Sequence, residues 1–235
     1  MATYVLVPGA DGTAWYWHLV APLLSERGHA VVTLDLPSHD TASLDDFAEA
    51  ITAAVHAAVP DGSAGPETPL VVVGQSLGGF SAPLVCGPLP VDRLVLVNAM
   101  VPAPGESAGE WWGNVGQAEA REQYAEVLGR TGTDAEFDPR TDFFHDVPDA
   151  LTEEAFAGEP AGPPPGVFAQ PWPLAAWPDV PTRFLQGRGD RFFPLEFQRR
   201  LARERLGIDV EELPGGHLVA LSRPRELADA LLRSA

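Results

Sequence analysis

The 235-residue sequence contains no lysine: all 15 basic positions are arginine, set against 33 acidic residues, for a formal net charge of −18. Without lysine there is no Schiff-base chemistry, no Walker-type phosphate-binding lysine and no lysine acid or base. The shortage of positive charge argues against DNA, RNA and anionic lipid surfaces as partners, because these are held mainly through basic clusters. A single cysteine, Cys86, leaves no internal disulfide and no thiolate metal cluster, which fits a reducing compartment. No apolar run approaches the roughly 18 residues of a membrane-spanning helix. The stretch Met1–Val7 has no basic leader region and runs straight into a strand pattern. The expectation is a cytoplasmic protein with no membrane partner.

What the chain does contain is an alternation of short apolar runs and amphipathic stretches. A hydrophobic fraction of 45% is ordinary for a globular core, and 23 glycines with 24 prolines point to many turns rather than a helical bundle. Strands are expected at Tyr4–Val7, Ala30–Leu34, Leu70–Val73, Arg93–Val97, Thr182–Gln186 and Asp209–Leu213. Most are continuous Val/Leu runs, as in parallel strands buried on both faces. Helices are expected between them at Trp15–Glu26, Leu44–Val59, Leu77–Cys86, Leu195–Leu206 and Arg223–Leu232. This order predicts an α/β fold: a doubly wound, mainly parallel sheet of about six strands. About 80 residues, Val101–Val180, interrupt the rhythm without a convincing strand. Their aromatics (Trp111, Trp112, Phe143, Phe144, Trp172, Trp177) argue against disorder, so a mostly helical cap, residues 101–180, is expected to be inserted after the fourth strand. Its expected helices are Glu119–Leu128 and Leu151–Phe156, and the core is then residues 1–100 and 181–235.

The strongest chemical signal is Leu70-Val71-Val72-Val73-Gly74-Gln75-Ser76-Leu77-Gly78-Gly79: a buried strand, then G-x-S-x-G, then a helical run. A serine in so sharp a strand-to-helix turn is strained, and residues two positions away must be small. With nine serines and 23 glycines in 235 residues, chance yields the pattern about 0.1 times, before the strand and helix are required. Serine needs a base oriented by a third group, and in this architecture the order is Ser, acid, His. His217, in Gly215-Gly216-His217 directly after the last strand, is the one histidine far enough downstream; His18, His29, His39, His56 and His145 read as structural. Asp190, after a strand and the turn Gly187-Arg188-Gly189, supplies the acid. The rival position after the fourth strand carries Asn98 and no neighbouring carboxylate. An oxyanion needs two backbone donors. Leu77 N–H follows the nucleophile, and Ala10 is the best candidate in Pro8-Gly9-Ala10-Asp11-Gly12-Thr13, where Gly9 lets the backbone come close. Asp11-Gly12 reads first as a turn pair, with Asp11 contacting substrate as the lesser reading. Arg188 and Arg191 read as solvated charge before they read as anion ligands. Pro83 predicts an early irregularity in the helix after Ser76.

At these residues the sequence resembles the α/β-hydrolases, in particular the small group of plant methyl esterases and hydroxynitrile lyases and their actinobacterial relatives. Three stretches carry the resemblance: Val5–Ala10 through Trp15-Tyr16-Trp17, Pro22-Leu23-Leu24 and Gly28-His29; Gly74–Gly79; and Asp190 with Gly215-Gly216-His217. The resemblance implies Ser76, Asp190 and His217 as a triad, with Ala10 and Leu77 as oxyanion donors. The lyases carry Thr at the place of Gly9 and Lys at the place of Leu218, so cyanohydrin cleavage is not implied. Relatives usually have His where this chain has Pro8, and often His at Gln75.

Together these readings point to a serine hydrolase of a small, largely apolar ester, lactone or thioester, working without metal or cofactor. Gly9, Asp11, Trp15, Trp111, Trp112 and Phe144 are candidate substrate contacts, the aromatics equally well explained as core. Two rivals stay open: a natural-product tailoring enzyme using the same pocket for C–C or C–O cleavage or cyclisation, and a non-catalytic small-molecule binder.

Overall fold

The computed structural model describes residues 1–58, 68–158 and 162–233. The Val/Leu runs pair, all parallel, as β1 (Thr3–Val7), β2 (Ala30–Thr33), β3 (Leu70–Gln75), β4 (Val91–Val97), β5 (Thr182–Gly187) and β6 (Glu211–Leu213). The sheet order is β2-β1-β3-β4-β5-β6. β1 therefore leads to a neighbour on one side and β3 to a neighbour on the other, which opens a crevice between their carboxyl ends. Gly9 and Ser76 follow those two ends.

Helices alternate with the strands. α1 (Val20–Ser25) and α2 (Leu44–Ala58) follow β1 and β2, and the four-residue α3 (Gly78–Ser81) follows β3. Between β4 and β5 lie α4 (Ala108–Val115), α5 (Gln117–Val127), α6 (Pro139–Asp142), α7 (Asp149–Phe156) and α8 (Pro165–Ala169). α9 (Leu195–Leu206) precedes β6, and α10 (Val219–Ser222) and α11 (Pro224–Leu232) close the chain. Among the described residues, no helix is long and apolar enough to cross a membrane.

Strand residues alternate between two cores, as the pleat requires. Val5, Val72, Leu94, Leu96 and Phe184 face one side with α2 and α9; Leu6, Val71, Val73, Val97 and Leu185 face the other with α1 and α11. α2 buries Leu44, Phe47, Ile51 and Val55, a helical stripe, while Asp45 and Asp46 sit in its first turn, where the helix dipole favours negative charge. Trp111 and Trp172, from the long β4–β5 segment, belong to the first core and are at most 1% exposed. An indole of about 200 Å² at roughly 25 cal/mol per Å² contributes on the order of 5 kcal/mol, so both ends of that segment are anchored. Trp172 Nε1–H also donates to Phe80 O (3.0 Å).

The structure redraws several expected boundaries. The expected helix Trp15–Glu26 splits into a 3₁₀ turn, Ala14–Trp17, and α1. The helix after Ser76 gives way to a 3₁₀ turn, Ala82–Cys86, where Pro83 has no N–H to continue the ladder. The last strand starts at Glu211 rather than Asp209. Val59, the expected end of α2, lies outside the described residues. α4, α6 and α8 were not expected. α4 carries Gly109 and Gly113, which weaken a helical pattern, yet Ser107 and Glu110 form a full capping box at its start.

α3 packs against the end of β4 with no room for a side chain: a Cβ on Gly79 would lie 1.8 Å from Met100 O. Gly79→Ala is therefore expected to cost about 2 kcal/mol or more in urea unfolding, because backbone must move. A loss below about 0.5 kcal/mol would contradict this packing.

Candidate active site

Ser76 stands at the β3–α3 turn with φ 51°, a left-handed conformation rare for a residue with a side chain. Its N–H donates to Val97 O (3.2 Å), and its carbonyl accepts from Met100 N (2.9 Å). The glycines two positions away are required by contact. A Cβ on Gly74 would lie 2.7 Å from Gly78 O, and one on Gly78 would lie 2.9 Å from Pro8 O. The tight turn thus also draws the loop after β1 against the serine.

His217 and Asp190 meet Ser76 there. His217 Nε2 lies 3.2 Å from Ser76 Oγ, and His217 Nδ1 lies 2.9 Å from Asp190 Oδ2. A carboxylate only accepts, so Nδ1 carries the proton and donates; Nε2 of the neutral ring is then free to accept from the serine hydroxyl. Asp190 is fully buried and saturated with donors. Its Oδ1 takes the N–H groups of Phe192 (2.9 Å) and Phe193 (2.8 Å), and its Oδ2 takes Gln186 Nε2 (3.3 Å) besides the imidazole. Ser76 keeps 8% exposure against 2% for His217, so Ser76 is the most open residue of the three.

The loops carrying these groups are locked backbone to backbone. Gly189 N–H donates to Gly215 O (2.9 Å), and a Cβ on Gly187 would lie 2.6 Å from Gly216 O. Asp146 Oδ2 accepts from Gly216 N–H (2.9 Å). Asn98, fully buried, donates from Nδ2 to Gly216 O (2.9 Å) and His217 O (2.8 Å), and accepts at Oδ1 from Gly187 N–H (2.7 Å).

Aromatic rings enclose the imidazole. Phe143 stacks on His217 (centroids 4.9 Å apart, planes at 27°), and Phe192 and Phe193 meet it edge-on at 5.3 and 5.1 Å. Trp112 packs against Phe192 and Phe193. The other expected contacts are more remote. Trp111 is a core residue, with Nε1–H donating to Val101 O (3.0 Å), and Phe193 lies between it and the imidazole. Phe144 turns onto Phe156. Trp15 stacks on His18 and donates to Glu154 Oε1 (2.8 Å) in α7. Asp11 accepts from the Thr13 hydroxyl (3.1 Å).

Beside the serine, a Cβ on Gly9 would lie 2.3 Å from Gln75 Oε1 and 3.1 Å from Ser76 Cβ, so the loop after β1 runs directly against the nucleophile turn. The N–H groups of Ala10 and Leu77 donate to no protein group among the described residues. A cleft of about 880 Å³ between α4–α5 and α9, lined by Glu119, Tyr124, Arg188 and Arg200 among others, contains none of Ser76, Asp190 and His217. Among the described residues, no group of three or more His, Cys, Asp or Glu side chains is placed to hold a metal ion.

Asn98, Gln186, Asp146 and Phe143 are the site residues that sequence reasoning passed over in these roles. Their signal was position alone: Asn98 directly follows β4, and Gln186 lies four residues before Asp190.

Comparison with known proteins agrees with this architecture. A family model described as "Alpha/beta hydrolase family" matches residues 4–230. "Probable esterase PIR7A" of Oryza sativa is 28% identical over 99% of this chain and 96% of its own length. Polyneuridine aldehyde esterase of Rauvolfia serpentina is 24% identical, covering 97% of this chain and 94% of its own. A crystal structure of polyneuridine aldehyde esterase superposes with a TM-score of 0.75 at 23% identity, covering 99% of this chain and 98% of that one.

Burial holds the His145 imidazole below its ordinary value of 6.5; Arg191 adds to the depression, and Asp146 and Asp190 oppose it. Protonation is penalised in the fold, so the stability tied to His145 is full above about pH 6.5 and is lost as the pH falls. Between about pH 7 and 5 the thermal midpoint is expected to fall more steeply in the parent than in His145→Gln, and identical slopes would contradict this.

Proposed function

The chain belongs to the alpha/beta hydrolase family, and from that premise we propose that it is a serine hydrolase cleaving a small, largely apolar ester, lactone or thioester. The observation that carries the reading is the unbroken hydrogen-bonded series Ser76 Oγ, His217, Asp190 at 3.2 and 2.9 Å. The esterase names of full-length relatives support the reaction class.

In the first half-reaction Ser76 Oγ attacks the carbonyl carbon while His217 Nε2 takes its proton. Asp190 holds the tautomer and stabilises the imidazolium without itself taking a proton. The N–H groups of Ala10 and Leu77 receive the developing oxyanion. His217 then gives its proton to the leaving alkoxide or thiolate, which departs and leaves an acyl-serine. A water, deprotonated by the same nitrogen, attacks the acyl carbon; the bond from that carbon to Ser76 Oγ then breaks as His217 passes the proton to Oγ, releasing the carboxylic acid and restoring the hydroxyl. Residues 101–180 act as a cap, with Phe143 closing over the imidazole and the Phe192–Phe193 edge supplying apolar wall. The close approach of Gly9 to Gln75 supports hydrolysis over cyanohydrin cleavage, since a threonine at Gly9 would meet Gln75 Oε1. A cytoplasmic setting completes the reading, supported by the single free thiol of Cys86.

Ser76→Ala is expected to lower kcat for p-nitrophenyl acetate and butyrate by about 10³-fold or more, with KM within a few-fold of the parent. Unchanged turnover in purified protein would refute the mechanism.

A further inference from the structure

We propose that Asn98 is the positioning residue that keeps the base and the acid in register with the nucleophile; this rests on the hydrolase reading of Ser76. Asn98 directly follows β4, with φ 45°. With Ser76 it is one of two non-glycine residues with positive φ among those described, and the two stand at the carboxyl ends of adjacent strands.

Its hydrogen bonds reach each of the other elements that carry the chemistry. The two Nδ2 protons go to the carbonyls of Gly216 and His217, fixing the loop that presents the imidazole. Oδ1 receives the N–H of Gly187, whose carbonyl in turn accepts from Asp190 N–H at 3.2 Å. The Asn98 N–H donates to Leu185 O (2.9 Å), tying it to β5. Its neighbours do the same for the serine: Val97 O and Met100 N are the partners of the Ser76 backbone. Three residues at and just beyond the end of one strand, Val97, Asn98 and Met100, therefore connect to the backbone on which the nucleophile, the base and the acid all stand.

The side chain is specified chemically. Two carbonyl oxygens and one N–H must be met from one short buried group, and a primary amide offers that set: two donors on one atom, an acceptor on the other. An aspartate would present a carboxylate to two carbonyl oxygens with no proton to give. This position carries a clamp, and its amide bonds the His217 backbone rather than the imidazole. A carboxylate placed there would face the wrong atoms to replace Asp190.

Asn98→Gly removes the amide together with its single methylene and adds no backbone strain, since glycine accepts φ 45° freely. With p-nitrophenyl acetate, kcat is expected to fall by at least about tenfold with KM within about twofold, because a displacement of about 1 Å in the reacting groups is costly. The rate of Ser76 labelling by a fluorophosphonate should fall in parallel, with the protein still folded at the assay temperature by circular dichroism. Asn98→Ser, which keeps one short donor, is expected to lie between Asn98→Gly and the parent. The double variant Asp190→Asn/Asn98→Asp should be no more active than Asp190→Asn. A folded Asn98→Gly with kcat within about twofold of the parent overturns the proposal, as does a loss of thermal stability in both single variants with kcat unchanged. A parent that neither labels at Ser76 nor turns over the ester refutes the hydrolase reading itself. A labelled, active parent beside a fully active Asn98→Gly refutes the positioning role alone.

Discussion

Ser76 can adopt its left-handed turn only if nothing larger than hydrogen occupies the α-carbons of Gly74 and Gly78. That steric condition organises the rest of the site. It lifts the hydroxyl above the strand ends, and it lets the loop after β1 press against the turn, Pro8 O against Gly78 and Gly9 against Ser76. The strain of the turn is held by two backbone hydrogen bonds to the end of β4. The Ser76 turn, the loop after β1 and the end of β4 are therefore one mechanical unit, and its geometry follows from the sheet order that sends the connections from β1 and β3 to opposite sides.

His217 and Asp190 form a second unit, on the loops that follow β6 and β5. Glycines 187, 189, 215 and 216 let two loops lie backbone on backbone, and the fully bonded carboxylate of Asp190 fixes the imidazole from beneath. Phenylalanines at 143, 192 and 193 exclude water from its faces and edges. In such surroundings a hydrogen-bond series is electrostatically stronger than in water and more costly to break. The buried ion pair between Arg130 and Asp142 (2.7 Å) holds the turn immediately before Phe143, so the aromatic cover is anchored through charge at a distance from the chemistry.

Much of this is legible in the sequence, for reasons that differ by residue. Gly74-Gln75-Ser76-Leu77-Gly78 reads clearly because a local steric rule writes itself into consecutive positions. His217 and Asp190 read from chain order and from the glycines around them. Asn98 is visible only as a place lacking a carboxylate; its value depends on loops 89 and 118 residues away arriving at the same point. Phe144 reads from the sequence as a substrate contact, whereas the packing turns Phe144 onto Phe156 and its neighbour Phe143 onto the imidazole. Trp111 reads equally as pocket or core, and the fold buries it completely. The lysine-free composition matters most at Leu218, where the lyase pattern needs a positive charge, while the net charge of −18 belongs to the surface.

In the proposed mechanism the acyl group of the substrate resides on Ser76 Oγ between the two half-reactions. Rapid acid quench of the enzyme turning over p-nitrophenyl acetate, followed by peptide mass spectrometry, tests it most directly. A transient acetyl adduct on the peptide containing Ser76 is expected, formed with the burst of p-nitrophenol. Sustained turnover with no adduct there, or with the acetyl group on another side chain, would contradict it.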